Sequence, residues 1–134
     1  MADAKEKTIA LISSTAAVNL AAVATTEKAL YTVPTGSTLV VTNVVMRLFS
    51  ADEHGTPPIV TFGIGGGACD EYLGDQTINV TANYANEYLM LRPIQAATPA
   101  TGDIVPAASA FSMEITQANG AALTCTIDVF GYLY

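Results

Sequence analysis

Apolar and polar positions alternate most regularly in residues 121–134, at the C-terminal end of the chain. One row is apolar throughout: Leu123, Cys125, Ile127, Val129, Gly131 and Leu133. The other row begins with polar residues and then turns aromatic: Thr124, Thr126, Asp128, Phe130, Tyr132 and Tyr134. A period of two predicts a β-strand with one buried face and one solvated face. Because the second row turns apolar, we expect a neighbouring subunit or the chain's own N-terminal segment to cover Phe130, Tyr132 and Tyr134.

Short alternating or apolar runs recur along the rest of the chain, and no run has the period of an amphipathic helix. Val, Ile, Thr and Tyr are frequent, as in strands. The predicted strands span residues 29–33, 38–49, 59–64, 71–82, 87–92, 103–105, 110–116 and 121–134. In 38–49 both rows are largely apolar, so we expect both sides of that strand to be covered. This pattern predicts an all-β fold, a single β-sandwich of jelly-roll type.

The last two predicted strands are separated by a strong turn signal, Asn119-Gly120. A three-residue hairpin loop, 118–120, keeps the apolar rows on one face and puts Gly120 at the bulge position. We therefore expect Phe111, Met113 and Ile115 to pair with Ile127, Cys125 and Leu123, respectively.

The N-terminal residues have a different composition from the rest of the chain. Residues 1–27 are rich in Ala and Thr and contain few large apolar side chains. They predict an extended N-terminal arm with a short strand at residues 8–12. The β-sandwich domain is then expected to span residues 28–134.

Composition narrows the classes of function. The 134 residues fit one domain. Charged residues make up 13%, against about 25% in ordinary soluble domains, which favours an oligomer or a component of a larger assembly. The net charge of −7 comes with five basic residues, too few for the clustered Lys and Arg of a nucleic-acid surface. The sequence contains no apolar run of about 18 residues, so no membrane-spanning segment is predicted.

Residue types that carry catalysis are scarce. The single histidine, His54, lies in a polar loop, and we expect it to be solvated rather than part of a catalytic set. The glycines at 63–67 have neither dinucleotide nor P-loop spacing. The acidic residues Asp70, Glu71 and Asp75 fit no EF-hand, and a solvated rim is favoured over calcium binding. Catalytic residues, metals and cofactors are accordingly not expected.

Several other side chains admit two readings. Tyr84 and Tyr88 could form a glycan-binding patch, although packing or a subunit interface is favoured. Each of the isolated cations Arg47 and Arg92 is expected to pair with an acidic neighbour at a sheet edge or subunit boundary. The two cysteines, Cys69 and Cys125, are too few for a disulfide framework, and we expect Cys125 to be a buried small hydrophobe.

Two segments carry a resemblance to a known group of proteins. They are Lys28–Arg47, which contains YTVPTG before a Val-rich strand, and Cys125–Leu133, which contains DVFGYL. Together they resemble small virion structural proteins of tailed bacteriophages, over roughly residues 28–134. The resemblance implies a β-sandwich or jelly-roll subunit, often trimeric, without enzymatic activity. It does not distinguish head decoration, a head fibre and the tail.

The resemblance and the composition together lead to one expected function. It is that of a capsid decoration (cement) protein, a homotrimer on the capsid exterior that contacts the major capsid protein. The expected subunit-interface residues are Phe130, Tyr132, Tyr134, Tyr84 and Tyr88, and the expected capsid-contact residues of the arm are Lys5, Lys7, Ile9 and Leu11. The alternatives are a tail or head-fibre component and a glycan-binding module.

Overall fold

The computed structural model describes residues 8–52, 55–93 and 104–134. Within them the chain forms nine strands, and the only helical element is a 3₁₀ turn, Tyr84–Asn86. The strands are β1 (Ala10–Asn19), β2 (Glu27–Thr32), β3 (Leu39–Arg47), β4 (Ile59–Ile64), β5 (Leu73–Thr77), β6 (Tyr88–Leu91), β7 (Ile104–Val105), β8 (Ala110–Gln117) and β9 (Thr124–Leu133).

The strands form two antiparallel sheets that pack as a sandwich. The five-stranded sheet has the order β1-β9-β3-β6, with β7 also paired to β3, and the four-stranded sheet has the order β2-β8-β4-β5. Strands that are distant in sequence are therefore neighbours in both sheets, and the chain passes repeatedly from one sheet to the other. This order of interleaved Greek keys is that of a jelly roll, which confirms the predicted fold class.

The core lies between the sheets and is built from the inward rows of β8 and β9. Phe111, Met113 and Ile115 of β8 are fully buried, as are Ile127 and Val129 of β9. Two aromatic rings extend the β8 layer: Phe62 stacks on Phe111 at 6.2 Å, and Tyr72 meets Phe111 edge-on at 5.3 Å. Each such side chain stabilises the fold by about 1.5–3 kcal/mol through burial.

The predicted hairpin between the last two strands is wrong, because β8 and β9 belong to different sheets. The turn at Asn119-Gly120 instead connects β8 in the four-stranded sheet to β9 in the five-stranded sheet. Asn119 donates its Nδ2 to the Ala121 carbonyl at 2.8 Å, and its backbone N–H donates to the Leu20 carbonyl at 2.9 Å. The apolar rows were assigned to the core correctly, but they meet across the sandwich rather than side by side within one sheet.

Strand β3 changes its inward row at a bulge between Val41 and Asn43. The buried residues are Leu39 and Val41 before the bulge and Val44 and Met46 after it. Thr42 stabilises the irregularity, since its hydroxyl donates to the Phe130 carbonyl at 3.2 Å. The bulge explains why both rows of this segment carry apolar residues in the sequence: each row is inward for half of the strand.

The segment predicted as an N-terminal arm contains a strand of the sandwich. Residues Ala10–Asn19 form β1, which pairs antiparallel with β9 and is longer than the short strand expected at residues 8–12. Val18 and Leu20, also within the range 1–27, lie in the core. The strand occupies a sheet edge and has irregularities between Leu11 and Ser13 and between Thr15 and Val18. These irregularities interrupt the alternation on which strand prediction depends.

Gly131 is a position where β9 admits no side chain. A Cβ there would collide with the carbonyl oxygen of Val40 on the neighbouring strand β3. We expect Gly131→Ala to lower the free energy of unfolding by about 1–3 kcal/mol, as for other overpacked sites. Urea unfolding of the purified protein measures this change.

Gly74→Ala is the matched control for this substitution. Gly74 also lies in a strand, but nothing is within 4 Å of a Cβ built there. Its free energy of unfolding should stay within about 0.5 kcal/mol of the wild-type value. Equal effects of the two substitutions would show that the contact with Val40 does not limit residue 131.

Candidate interaction surface

The outer face of the five-stranded sheet is apolar along its β1–β9–β3 end. Leu11 of β1 lies opposite Phe130 of β9, and Tyr132 of β9 lies opposite Val40 of β3. Directly opposed residues share a face of the sheet, so these four side chains form one patch on the side away from the core. The Leu11 side chain is 54% exposed, and Phe130 and Tyr132 are half-buried.

The last residue of the chain extends this patch. Thr38 and Tyr134 exchange two backbone hydrogen bonds, at 2.8 and 3.0 Å, which fix the chain end against the residue before β3. The rings of Tyr132 and Tyr134 lie 6.4 Å apart, and the Tyr134 side chain is 56% exposed. The paired backbone therefore presents this aromatic ring at the surface from an ordered position.

A second apolar group lies on the same outer face, at β6. Tyr88 lies opposite Arg47, and Met90 lies opposite Val45. Their side chains are 67% and 51% exposed, respectively, whereas the alternate residues of β6 pack against the core. We call the whole surface the aromatic face; it comprises Leu11, Tyr88, Met90, Phe130, Tyr132 and Tyr134.

A polar network links three strands at the centre of this face. Asp128 of β9 is only 6% exposed. It accepts a hydrogen bond from Arg47 Nε of β3 at 2.6 Å and another from Ser14 Oγ of β1 at 2.5 Å. Burial raises the pKa of Asp128, but the hydrogen bonds from Arg47 and Ser14 and the charge of Arg47 outweigh it and lower that pKa below its ordinary value. The pKa of Arg47 is raised, first by its hydrogen bond to Asp128, so the network holds a carboxylate and a guanidinium.

The interface residues predicted from sequence occupy different environments. Phe130, Tyr132, Tyr134 and Tyr88 lie on the aromatic face, whereas Tyr84 lies in the 3₁₀ turn and packs against the core. Their role in a subunit interface stays a prediction.

Only two of the four predicted capsid-contact residues lie within the described structure. Ile9 and Leu11 are exposed, at 55% and 54%, and Leu11 belongs to the aromatic face. Lys5 and Lys7 lie outside the described residues. The contact that these four residues would make with a capsid also stays a prediction.

One member of the aromatic face and the acidic partner of Arg47 were missed in the sequence. Met90 lies between Leu89 and Leu91, which face the core. The alternation in β6 was therefore present in the sequence, but four residues were too few to show which face of the strand is buried. The partner of Arg47 was left open because Asp128 is distant in the chain and becomes adjacent only when β3 pairs with β9. Only the strand order could have identified this ion pair.

Residues that could carry chemistry do not converge in the described part of the chain. There, no group of three or more His, Cys, Asp or Glu side chains could hold a metal ion. His54 lies outside the described residues. Both cysteines are unpaired and buried. None of the helical structure in residues 8–52, 55–93 and 104–134 is long and apolar enough to cross a membrane.

Comparison with known proteins gives a structural likeness. No protein-family model matches the chain, and no curated protein sequence matches it significantly. Among solved structures, it superposes on a chain of the "Acidic stable capsid structure of Helicobacter pylori bacteriophage KHP30", with a TM-score of 0.55 and 12% sequence identity. The superposition covers 94% of this chain and 92% of that chain. The likeness is one of fold.

The ion pair predicts a pH-dependent contribution to stability. Since the folded state lowers the pKa of Asp128, the carboxylate stabilises the fold above its unfolded pKa, about 3.9. That stabilisation is lost as the pH falls through the folded pKa. We expect Asp128→Asn to lower the free energy of unfolding at pH 7, with a difference from wild type that shrinks below about pH 4. Urea unfolding at a series of pH values measures both quantities.

Substitution of the exposed residue Asp70 by Asn serves as the control for removal of one negative charge. It should change the free energy of unfolding by less than about 0.5 kcal/mol at pH 7. A difference between Asp128→Asn and wild type that is the same at pH 7 and at pH 3 would contradict the assigned role of the carboxylate.

The thiols predict a difference in reactivity between folded and unfolded protein. Burial raises the pKa of both Cys69 and Cys125 to about 12, and nearby glutamates add to the effect at Cys69. Because the thiolate is the nucleophile, neither cysteine should react with iodoacetamide at pH 8 in the folded protein, while both should react in urea. Mass spectrometry after timed labelling tests this, and rapid modification of one folded-state thiol would contradict it.

Proposed function

We propose that this chain is a non-enzymatic structural protein of a bacteriophage capsid, and more specifically a decoration (cement) protein that binds the outside of the shell as trimers. The observation that carries the proposal is the aromatic face. A jelly roll that already buries its core between two sheets has no folding requirement for exposed Leu11, Tyr88, Met90 and Tyr134. Large exposed apolar patches mark interaction sites, so an assembling role is favoured.

The fold likeness supports the same proposal from a different direction. The chain on which this protein superposes comes from a bacteriophage capsid structure. A jelly roll serves many functions, so the likeness supports a capsid role only together with the assembly surface. The small share of charged residues, 13%, also suits a protein whose surface is largely covered by neighbours.

The N-terminal residues fit a contact with the shell in this proposal. Ile9 and Leu11 project exposed apolar side chains at the start of β1, and Lys5 and Lys7 precede them in the chain. Extended segments that add to a neighbour's sheet gain main-chain hydrogen bonds. Lys5, Lys7, Ile9 and Leu11 are therefore the proposed contact with the major capsid protein.

Copy number in purified virions is the direct test of the proposed role. A decoration protein should be present in a fixed and high ratio to the major capsid protein, whereas a tail or head-fibre component should be present in few copies. Quantitative gel densitometry or mass spectrometry of purified particles measures this ratio. A handful of copies per particle, or absence from particles, would refute the decoration role.

Particle binding by truncated protein tests the contact with the shell. Deleting residues 1–7 should weaken binding to undecorated shells by roughly tenfold or more, since a few residues usually carry most of the binding free energy. The deletion stops before Ala10, so strand β1 is kept. Val23→Ser, which changes an exposed loop residue, is the control and should bind like wild type. Unchanged binding after the deletion would exclude Lys5 and Lys7 from the proposed contact.

A further inference from the structure

Strand β6 is the least protected sheet edge in the described part of the chain. Proteins guard such edges with bulges, charged residues or very short strands, because free main-chain groups can pair with another chain. The edge strands β1 and β2 have register irregularities, β5 contains Gly74 and Asp75 and pairs across another irregularity, and β7 has two residues. By contrast, β6 pairs with β3 in an unbroken register and contains no charged residue.

The β6 edge is held in place by the rest of the sandwich. Its four residues, Tyr88–Leu91, all pair with β3, and the Tyr72 hydroxyl donates to the Leu91 carbonyl at 3.4 Å. Arg92 precedes Pro93, and a residue before proline favours extended backbone. Within the described residues, no strand pairs with the other side of β6. An added strand would therefore meet an edge that is already ordered.

The side chains of this edge alternate between the core and the surface. Leu89 and Leu91 pack against the core, whereas Tyr88 and Met90 are 67% and 51% exposed. Arg92 is also exposed, continues the outward row by the period of two, and contacts the Met90 sulfur at 3.8 Å. The outward row is thus an aromatic ring, a thioether and a cation in that order.

We propose that β6 pairs antiparallel with β6 of a second copy, about a two-fold axis that passes through Met90. The five-stranded sheets of the two copies then become one continuous sheet, and the strand addition gains main-chain hydrogen bonds. The inference goes beyond the proposed function and does not depend on it, since it concerns two copies of the chain whatever shell they bind.

The residues of β6 are self-complementary in this register. Met90 lies opposite the partner's Met90, Tyr88 opposite the partner's Arg92, and Leu89 opposite the partner's Leu91. Directly opposed residues share a face, so the leucines extend the apolar core row across the contact. An arginine beside a tyrosine ring is attracted to it by about 0.5–2 kcal/mol, and the two-fold axis produces this pair twice.

Neighbouring registers fit less well. An axis through Leu89 would place Glu87 opposite the partner's Leu91, which sets a charge against the core row. An axis through Leu91 would bring Pro93, which has no N–H to donate, into the middle of the pairing. A shift by a single residue would set inward leucines against outward side chains. The axis through Met90 is thus the register that keeps like side chains on like faces.

The proposed contact is short, with five residues from each copy. It is therefore expected to be weak between isolated molecules in dilute solution. Copies held side by side on one particle would pair more fully, because tethering raises their effective concentration without any new contact. A test must accordingly trap a transient pair and report its register.

Single cysteines at the proposed axis provide such a test. Opposed residues of an antiparallel pair have Cα atoms about 4.5–5.5 Å apart, within the roughly 4.4–6.8 Å that a disulfide spans. Met90→Cys, oxidised with glutathione disulfide, should therefore form a covalent dimer of twice 13.9 kDa on a non-reducing gel. Tyr88→Cys should react at least about tenfold more slowly, because position 88 lies about 13 Å from position 88 of the partner, four residues along the strand.

A mixture of two variants tests the same register independently. Tyr88→Cys and Arg92→Cys oppose each other in the proposed pair, so an equal mixture should form a covalent heterodimer about as fast as Met90→Cys dimerises. Leu11→Cys, at another exposed apolar position of the aromatic face, is the control and should cross-link no faster than Tyr88→Cys alone. The native cysteines are buried, and circular dichroism verifies that each variant is folded.

Three results would overturn the inference. Equal rates for Met90→Cys and Leu11→Cys would show random collision rather than pairing. Faster dimerisation of Tyr88→Cys than of Met90→Cys would reject the axis through Met90. Absence of covalent dimers from every variant would exclude a second copy as the occupant of the β6 edge. None of these results bears on the copy number in virions, so the decoration role and the β6 contact can fail separately.

Discussion

The pairing of β9 with both β1 and β3 is the constraint on which the rest of this structure depends. It places the C-terminal strand between two strands from the first 47 residues, so the five-stranded sheet cannot form until β9 is present. Ser14 and Asp128 are 114 positions apart, yet they share a hydrogen bond. Contacts of such long sequence separation slow folding, because the entropy of loop closure opposes them before they stabilise the fold.

One strand thereby serves both the interior and the surface. The inward row of β9 packs against the β8 row, and its outward row supplies Asp128 to the polar network and Phe130, Tyr132 and Tyr134 to the aromatic face. In the Arg47–Asp128 pair the arginine side chain is 42% exposed and the aspartate side chain only 8%, so solvent screens one partner and the net gain in stability is modest. The pair's stronger effect is on geometry: hydrogen bonds from both neighbouring strands hold one carboxylate at the centre of the sheet. The aromatic side chains beside it are therefore presented from a fixed backbone.

The faces of the strands could be predicted from the sequence, but the partners of the strands could not. Alternation correctly assigned Leu123, Cys125, Ile127 and Val129 to the core, since side-chain direction is a local property of a strand. The hairpin prediction failed because Asn119-Gly120 specifies a turn without specifying whether the strands after it share a sheet. Strand β1 was treated as an arm because its bulges and small residues hide the alternation. The ion pair of Arg47 required the strand order, which no local pattern contains.

The exposed apolar side chains of the aromatic face have a physical explanation in assembly. A jelly roll that buries its core between two sheets gains no stability from exposing Tyr88, Met90 and Tyr134. Their exposure costs free energy in the isolated chain, because apolar surface stays in contact with water. A neighbouring protein that covered this face would remove that cost. Because β6 and β9 hold these side chains on a paired backbone, their docking would also lose less conformational entropy than docking of a flexible segment.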